Sequence, residues 1–253
     1  MMDHGSAETQ IEKGIARITF YHPQSNSLPG QLLRKLASEI SNASADESVK
    51  VIILQSKGEK AFCAGASFDE LSAIKNREEG LHFFSGFADV INAIRKARVF
   101  VIARIQGKCV GGGVGLAAAA DYAIAHESAS VKLSELAVGI GPFVVGPAVE
   151  RKIGKAAFTA LTIDATSWRS AEWAFKNGLF AELHNNIESL DEAVNKLAGT
   201  LATSNPEAMA MLKKVFWEGT GHWDELLTER AGLSGKLVLS DFTRNAIAKF
   251  KSR

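Results

Sequence analysis

Short runs rich in Ile and Val occupy 11–20 (IEKGIARITF), 49–56 (VKVIILQS) and 99–105 (VFVIARI); runs of this length and composition predict strands. Between the first two, Leu32, Leu33, Leu36 and Ile40 recur at helical spacing behind Pro29, a residue suited to a helix's first turn. Between the second and third, Phe83, Phe84, Phe87, Val90, Ile91 and Ile94 repeat that pattern. Strand, helix, strand, helix, strand predicts right-handed crossovers, and so a sheet containing parallel strands with helices packed against it. Two further strands are expected over 121–126 and 129–133. Beyond about residue 146 the pattern turns almost wholly helical. Asn205–Pro206 marks the start of a helix through Trp217, and Asp241 caps a last one through Phe250.

With 253 residues, 46% hydrophobic and 23% charged, the chain can bury a real core. No internal repeat or low-complexity linker separates the α/β front from the helical tail, so the two are expected to pack as one body. The formal charge of +1 provides no global field for nucleic acid or an anionic membrane. The start, MMDHGSAETQ, lacks a signal-peptide pattern, and no apolar stretch is long enough to span a bilayer. A cytoplasmic protein is expected. Cys63 and Cys109 are the only cysteines, without the clustering of a zinc or redox site; small buried thiols are expected, and no metal.

Two segments accumulate glycine and small residues at the ends of expected strands, where ligands bind in open α/β sheets: KGEKAFCAGASFDEL at 57–71 and IQGKCVGGGVGLAAAADYAIA at 105–125. In the second, Gly111, Gly112 and Gly113 open a helix from Val114 to Ala120. Free N–H groups and the positive dipole end there suit a developing anion, although such glycines also serve close helix packing. GGGVG lacks the spacing of a dinucleotide fingerprint, and GKC is not a phosphate-loop GK[ST].

AFCAGASFDEL, then GKCVGGGVGLAAAADYAIA, then LSELAVGIGP at 133–142 resemble, in order and spacing, the signature series of the enoyl-CoA hydratase/isomerase (crotonase) family. The NSL at 26–28 is similar to that family's NAL segment. The resemblance implies an α/β fold with a crotonase-like ββα spiral core at 1–195 and a C-terminal helical trimerisation region at 196–253, assembled as a homotrimer or hexamer. It implies an acyl-CoA thioester partner, with coenzyme A entering as part of the substrate and no separate cofactor. The family's oxyanion-hole positions match Ala66 and Gly112, and its second acid/base glutamate matches Glu135. Its terminal aromatic and basic residues make Phe250 and Arg253 candidates for covering the coenzyme, and Lys57 and Lys60 are further candidates for its phosphates.

One departure matters. The family's first glutamate falls at Gly115, which has no side chain to offer. Water addition ordinarily uses two groups, one activating water and one protonating carbon, whereas shifting a double bond needs one base. The local runs resemble bacterial hydratases of the methylglutaconyl-CoA type, which also carry glycine there. A hydratase-type lyase acting on a 2-enoyl-CoA is therefore expected, with a Δ3,Δ2-enoyl-CoA isomerase as the alternative. A non-catalytic acyl-CoA binder is a third reading, but it gains nothing from a buried carboxylate.

Overall fold

A computed structural model describes residues 5–251 of the chain. The run over 11–20 is not one strand but most of a hairpin: β1 (Ser6–Glu12) and β2 (Ile15–Tyr21) pair antiparallel, with Glu12 opposite Ile15. Lys13 and Gly14 between them both take positive φ, 50° and 79°, as a two-residue turn between twisted strands requires. The first helix, α1 (Gly30–Ala45), buries Leu32, Leu33, Leu36 and Ile40. Then come β3 (Val51–Ser56), β4 (Ala61–Cys63), α2 (Phe68–Ala73) and α3 (Arg77–Lys96). The side chain of Asn76 accepts from the Glu79 N–H at the start of α3, and Arg95 and Lys96 end it, which complements the helix dipole at both termini.

β5 (Phe100–Ile105), β6 (Lys108–Val110), α4 (Gly112–Ala119), β7 (Tyr122–His126) and β8 (Ser130–Lys132) complete the front. The tail holds α5 (Gly146–Ile163), broken at Gly154, then β9 (Arg169–Ser170), α6 (Ala171–Lys176), β10 (Glu182–His184) and α7 (Ile187–Ala202). Three more helices end it: α8 (Pro206–Phe216), α9 (Trp223–Leu237) and α10 (Asp241–Lys251). β9 and β10 are exceptions to the helical reading of the tail; strands of two or three residues are too short to show a period.

The strands form two sheets, one ordered β1-β2-β3-β5-β7-β10 and one β4-β6-β8-β9. All pairings from β2 to β10 in the larger sheet are parallel. Each circuit of the chain adds one strand to the large sheet, one to the small sheet, and then a helix or turn, so β3-β4, β5-β6 and β7-β8 climb as a ββα spiral. β3 is apolar on both faces: Ile52 and Leu54 join the main core with α1 and α3, while Val51 and Ile53 pack with Leu190, Val194 and Ala198 of α7. Burial on both sides explains why VIIL reads as a continuous apolar run.

The boundary expected at 195/196 lies within α7, which packs against the large sheet. The later helices also fold back on the core. α9 crosses α3 with backbones in contact: a Cβ placed on Gly80 would lie 2.7 Å from the Gly235 Cα. α10 reaches α2 and the turn after Glu135, with Phe250 stacked on Phe68 at 5.2 Å between ring centroids. Trp217 and Trp223 are buried against each other edge to face. Below them Asp121 accepts from Lys213 Nζ at 2.5 Å and Trp217 Nε1 at 3.0 Å, a buried ion pair joining α8 to the start of β7. No helix among the described residues is long and apolar enough to cross a membrane.

Candidate active site

The first glycine loop, 64–67, is held through three of its four backbone N–H groups and the Gly65 carbonyl. Ala64 N–H donates to Ser25 O and Gly65 N–H to Cys63 Sγ, while Leu28 N–H donates to Gly65 O and Ser67 N–H to Leu28 O. The last two make a parallel bridge between Leu28 and Ala66. In such a bridge the central residue's own N–H points away from its partner strand, and among the described residues no group accepts from Ala66 N–H. The NSL segment thus clamps the loop with one donor left over.

The second loop does the same at a helix start. Gly111 N–H donates to Lys132 O, and Gly111 O accepts from Val114 and Gly115, leaving the Gly112 N–H as one of the unpaired first-turn donors of α4. The loops touch: a Cβ on Gly65, whose φ is +86°, would lie 3.5 Å from Gly112 N. The two residues with unused N–H groups, Ala66 and Gly112, therefore line one cavity together with Glu135 and mainly apolar side chains. Its volume is about 70 Å³.

Glu135 precedes a 3-10 turn (Leu136–Val138), and the N–H groups of Val138 and, just beyond the turn, Ile140 donate to its carbonyl. Its carboxyl lies against Gly111, where a Cβ would be 2.9 Å from Oε1; with φ at +50° as well, that position requires glycine. Oε2 is buried with no hydrogen-bond partner. Burial without a cation raises the carboxyl from 4.5 to about 7, only partly opposed by a hydrogen bond from its own backbone N–H. Such a group exchanges a proton readily near neutral pH.

Gly115 lies on α4 facing Val145: a Cβ there would meet Val145 Cγ1 at 2.5 Å and Cβ at 2.7 Å. An apolar side chain occupies the space a glutamate would need. Phe87 plays the matching part at Gly112, where a Cβ would lie 2.1 Å from its Cε1. Gly112→Ala should therefore push the Phe87 ring into the cavity and cost about 1–3 kcal/mol by overpacking. Urea denaturation checks the stability, and turnover should fall by roughly tenfold or more as the N–H is displaced.

The remaining sequence candidates lie apart from the cavity. Lys57 is exposed, with Glu8 Oε2 at 4.0 Å, and Lys60 lies on the same β3–β4 loop; neither lines the cavity. Phe250 reaches it only through Phe68, which does line it. Arg253 lies outside the described residues. Other polar residues of α2 and α3 also lie outside the cavity lining: His82 is exposed, Asp69 accepts from Gln24, and Glu70 accepts from the Gly30 N–H at the head of α1. Cys63 and Cys109 are fully buried, and burial pushes the Cys63 thiol up to about 12 and raises that of Cys109 well above its ordinary value. These are thiols at neutral pH and poor nucleophiles. Phe87, Val145 and Ser234 line the cavity without any local motif to announce them. Only the helical period of α3 points Phe87 inward. No cluster among the described residues could hold a metal ion.

Fold and site together define a parallel α/β spiral in which two loop residues with unused N–H donors and one buried carboxyl line a small apolar cavity. A family model described as enoyl-CoA hydratase/isomerase matches residues 10–242, and the chain belongs to that family. A relative from Rhizobium meliloti named "Probable enoyl-CoA hydratase" is 33% identical over 208 residues, covering 80% of this chain and 77% of the relative. Carnitinyl-CoA dehydratase of Escherichia coli is 29% identical over 206 residues, covering 80% and 76%. The crystal structure of enoyl-CoA hydratase from Bacillus halodurans superposes with a TM-score of 0.86 over 96% of this chain and 99% of that one, at 22% identity. The fold is that of the crotonase-like neighbours.

Proposed function

We propose that the chain is a hydratase-type lyase acting on a 2-enoyl-CoA. The thioester oxygen sits between the N–H groups of Ala66 and Gly112, and Glu135 carries the proton at the α-carbon. The observation that carries this reading is the buried Glu135 carboxyl, unpartnered at Oε2 and raised to about 7, beside two unused N–H donors. Adding water to C3 pushes electron density through C2 onto the thioester oxygen. Two fixed donors in a dry site stabilise that enolate without reorganising, each contributing about 3 kcal/mol. The names of the hydratase and dehydratase relatives favour lyase chemistry.

Coenzyme A enters as part of the substrate. Lys57, Lys60, Phe250 and Arg253 are our candidates for meeting it, Phe250 through its stack on Phe68. A branched, methylglutaconyl-like acyl chain is the substrate suggested by the sequence. No Lys, Arg or His lines the cavity among the described residues, which favours a neutral branch over a free terminal carboxylate, since an unpaired buried charge is costly. Assembly as a homotrimer or hexamer through 196–253 is supported by the exposed apolar side chains Met211, Leu212, Val215 and Phe216 on α8.

Val145 favours a second reading. With the first carboxylate's space filled by valine, a one-base Δ3,Δ2-enoyl-CoA isomerase has all it needs in Glu135. Parallel assays separate the two: crotonyl-CoA and 3-methylglutaconyl-CoA for hydration, and a 3-enoyl-CoA for isomerisation. Hydration of crotonyl-CoA is the expected result, with 3-methylglutaconyl-CoA, which carries a terminal carboxylate, the poorer substrate. Isomerisation alone establishes the second reading, and no turnover of any thioester overturns both.

A further inference from the structure

The cavity holds a polar group that proton transfer at C2 does not use. Among its lining residues, polar side chains come only from Ser134, Glu135 and Ser234. Ser234 lies on α9, far from the other two in sequence, and is 1% exposed. Its hydroxyl has no hydrogen-bond partner among the described residues. A hydroxyl in an apolar cavity is unfavourable unless something bonds to it, and alanine at this position would suit a plain hydrocarbon chain better.

Its place along the cavity follows from α3. Gly80, Phe84 and Phe87 share one face of that helix at i, i+4 and i+7. Phe87 lies against Gly112, the proposed thioester end, whereas Gly80 meets Gly235, the neighbour of Ser234. The two contacts are separated by seven residues of helix, on the order of 10 Å. Ser234 therefore enters the acyl space from the Gly80 end of α3, and not from the Gly112 end where Phe87 lies. The bare backbone contact between Gly80 and Gly235 is what lets α9 come close enough to line the cavity.

Resting on the acyl-CoA reading above, we infer that Ser234 is a specificity-determining residue. Its hydroxyl hydrogen-bonds a neutral oxygen, a hydroxyl, ketone or ether, carried on the acyl chain several carbons beyond the thioester. The absence of a lining cation among the described residues selects a neutral oxygen over a carboxylate. A site built to bond a substrate oxygen discriminates strongly against the analogue lacking it.

The test uses saturated thioesters, so that it reads binding without turnover. Calorimetry measures the affinity of wild type and Ser234→Ala for hexanoyl-CoA and for hexanoyl-CoA carrying a hydroxyl at C4, C5 or C6. Wild type is expected to bind at least one hydroxylated thioester roughly tenfold more tightly than hexanoyl-CoA, on the scale of one well-placed hydrogen bond. Ser234→Ala should erase that preference and leave hexanoyl-CoA affinity nearly unchanged, which a general structural defect would not do. Absence of any preference in wild type, or a preference that survives in Ser234→Ala, overturns the inference while leaving the enzyme reading intact. If hexanoyl-CoA itself fails to bind, the acyl-CoA reading falls and takes this inference with it.

Discussion

Glu135→Gln is expected to lower kcat by roughly 10²- to 10⁴-fold, the range that a positioned acid/base contributes, while the KM for the thioester changes little. The amide keeps the shape of the side chain against Gly111 but cannot carry a proton. Steady-state kinetics on the substrate turned over by wild type checks this, and equal losses in kcat and kcat/KM are the signature. The same variant should be more stable than wild type above pH 7. The wild-type carboxyl titrates at 4.5 when exposed and at about 7 when folded, so between those values the native state holds the extra proton. Wild-type stability then falls as pH rises from 4.5 to 7, by about 3 kcal/mol in all. Gln does not titrate and escapes that loss. Urea denaturation at pH 5 and pH 8 should show wild type losing ground to the variant at the higher pH; parallel behaviour at both would mean that the carboxyl is not buried as described.

Gly115→Glu should fail as a route to a two-carboxylate hydratase. A Cβ there meets Val145 Cγ1 at 2.5 Å, and four further heavy atoms must follow it into space that valine already fills. Overpacking costs about 1–3 kcal/mol, and burying a second unpaired carboxyl adds to it. The single variant should therefore lose stability by about 3 kcal/mol or more and lose activity with it. Gly115→Glu combined with Val145→Gly should recover folding and raise the ratio of hydration to isomerisation by roughly tenfold or more, because a second carboxylate can then position water. Denaturation curves and the two assays measured on both variants decide it. A stable, hydration-competent single variant would show that Val145 is not the obstacle.

Much of this architecture can be read along the chain, for reasons that differ by element. α1 and α3 are legible because each buries one face, so their apolar residues recur at helical spacing. β3 is legible because both its faces are covered. The hairpin is obscured by the apolar residues on either side of Lys13–Gly14, and the short strands of the smaller sheet are carried by two or three residues each. The site divides the same way. Ala66, Gly112 and Glu135 lie in motifs, and the structure brings them to one cavity; their chemical roles remain our proposal. Val145 and Ser234 have no motif: one is a valine beside a glycine of another helix, the other a serine brought in by a glycine contact between α3 and α9. Such neighbours are set by packing across the fold, and nothing in their local sequence reports it.

The most direct test is the pH dependence of kcat/KM on the thioester that wild type turns over, from pH 4 to pH 9, repeated with Glu135→Gln. The account predicts a transition with its midpoint near 7 in wild type and a rate too low to show one in the variant. A wild-type profile that is flat, or that breaks between pH 4 and 5, would contradict it, as would a Glu135→Gln enzyme that keeps the wild-type rate.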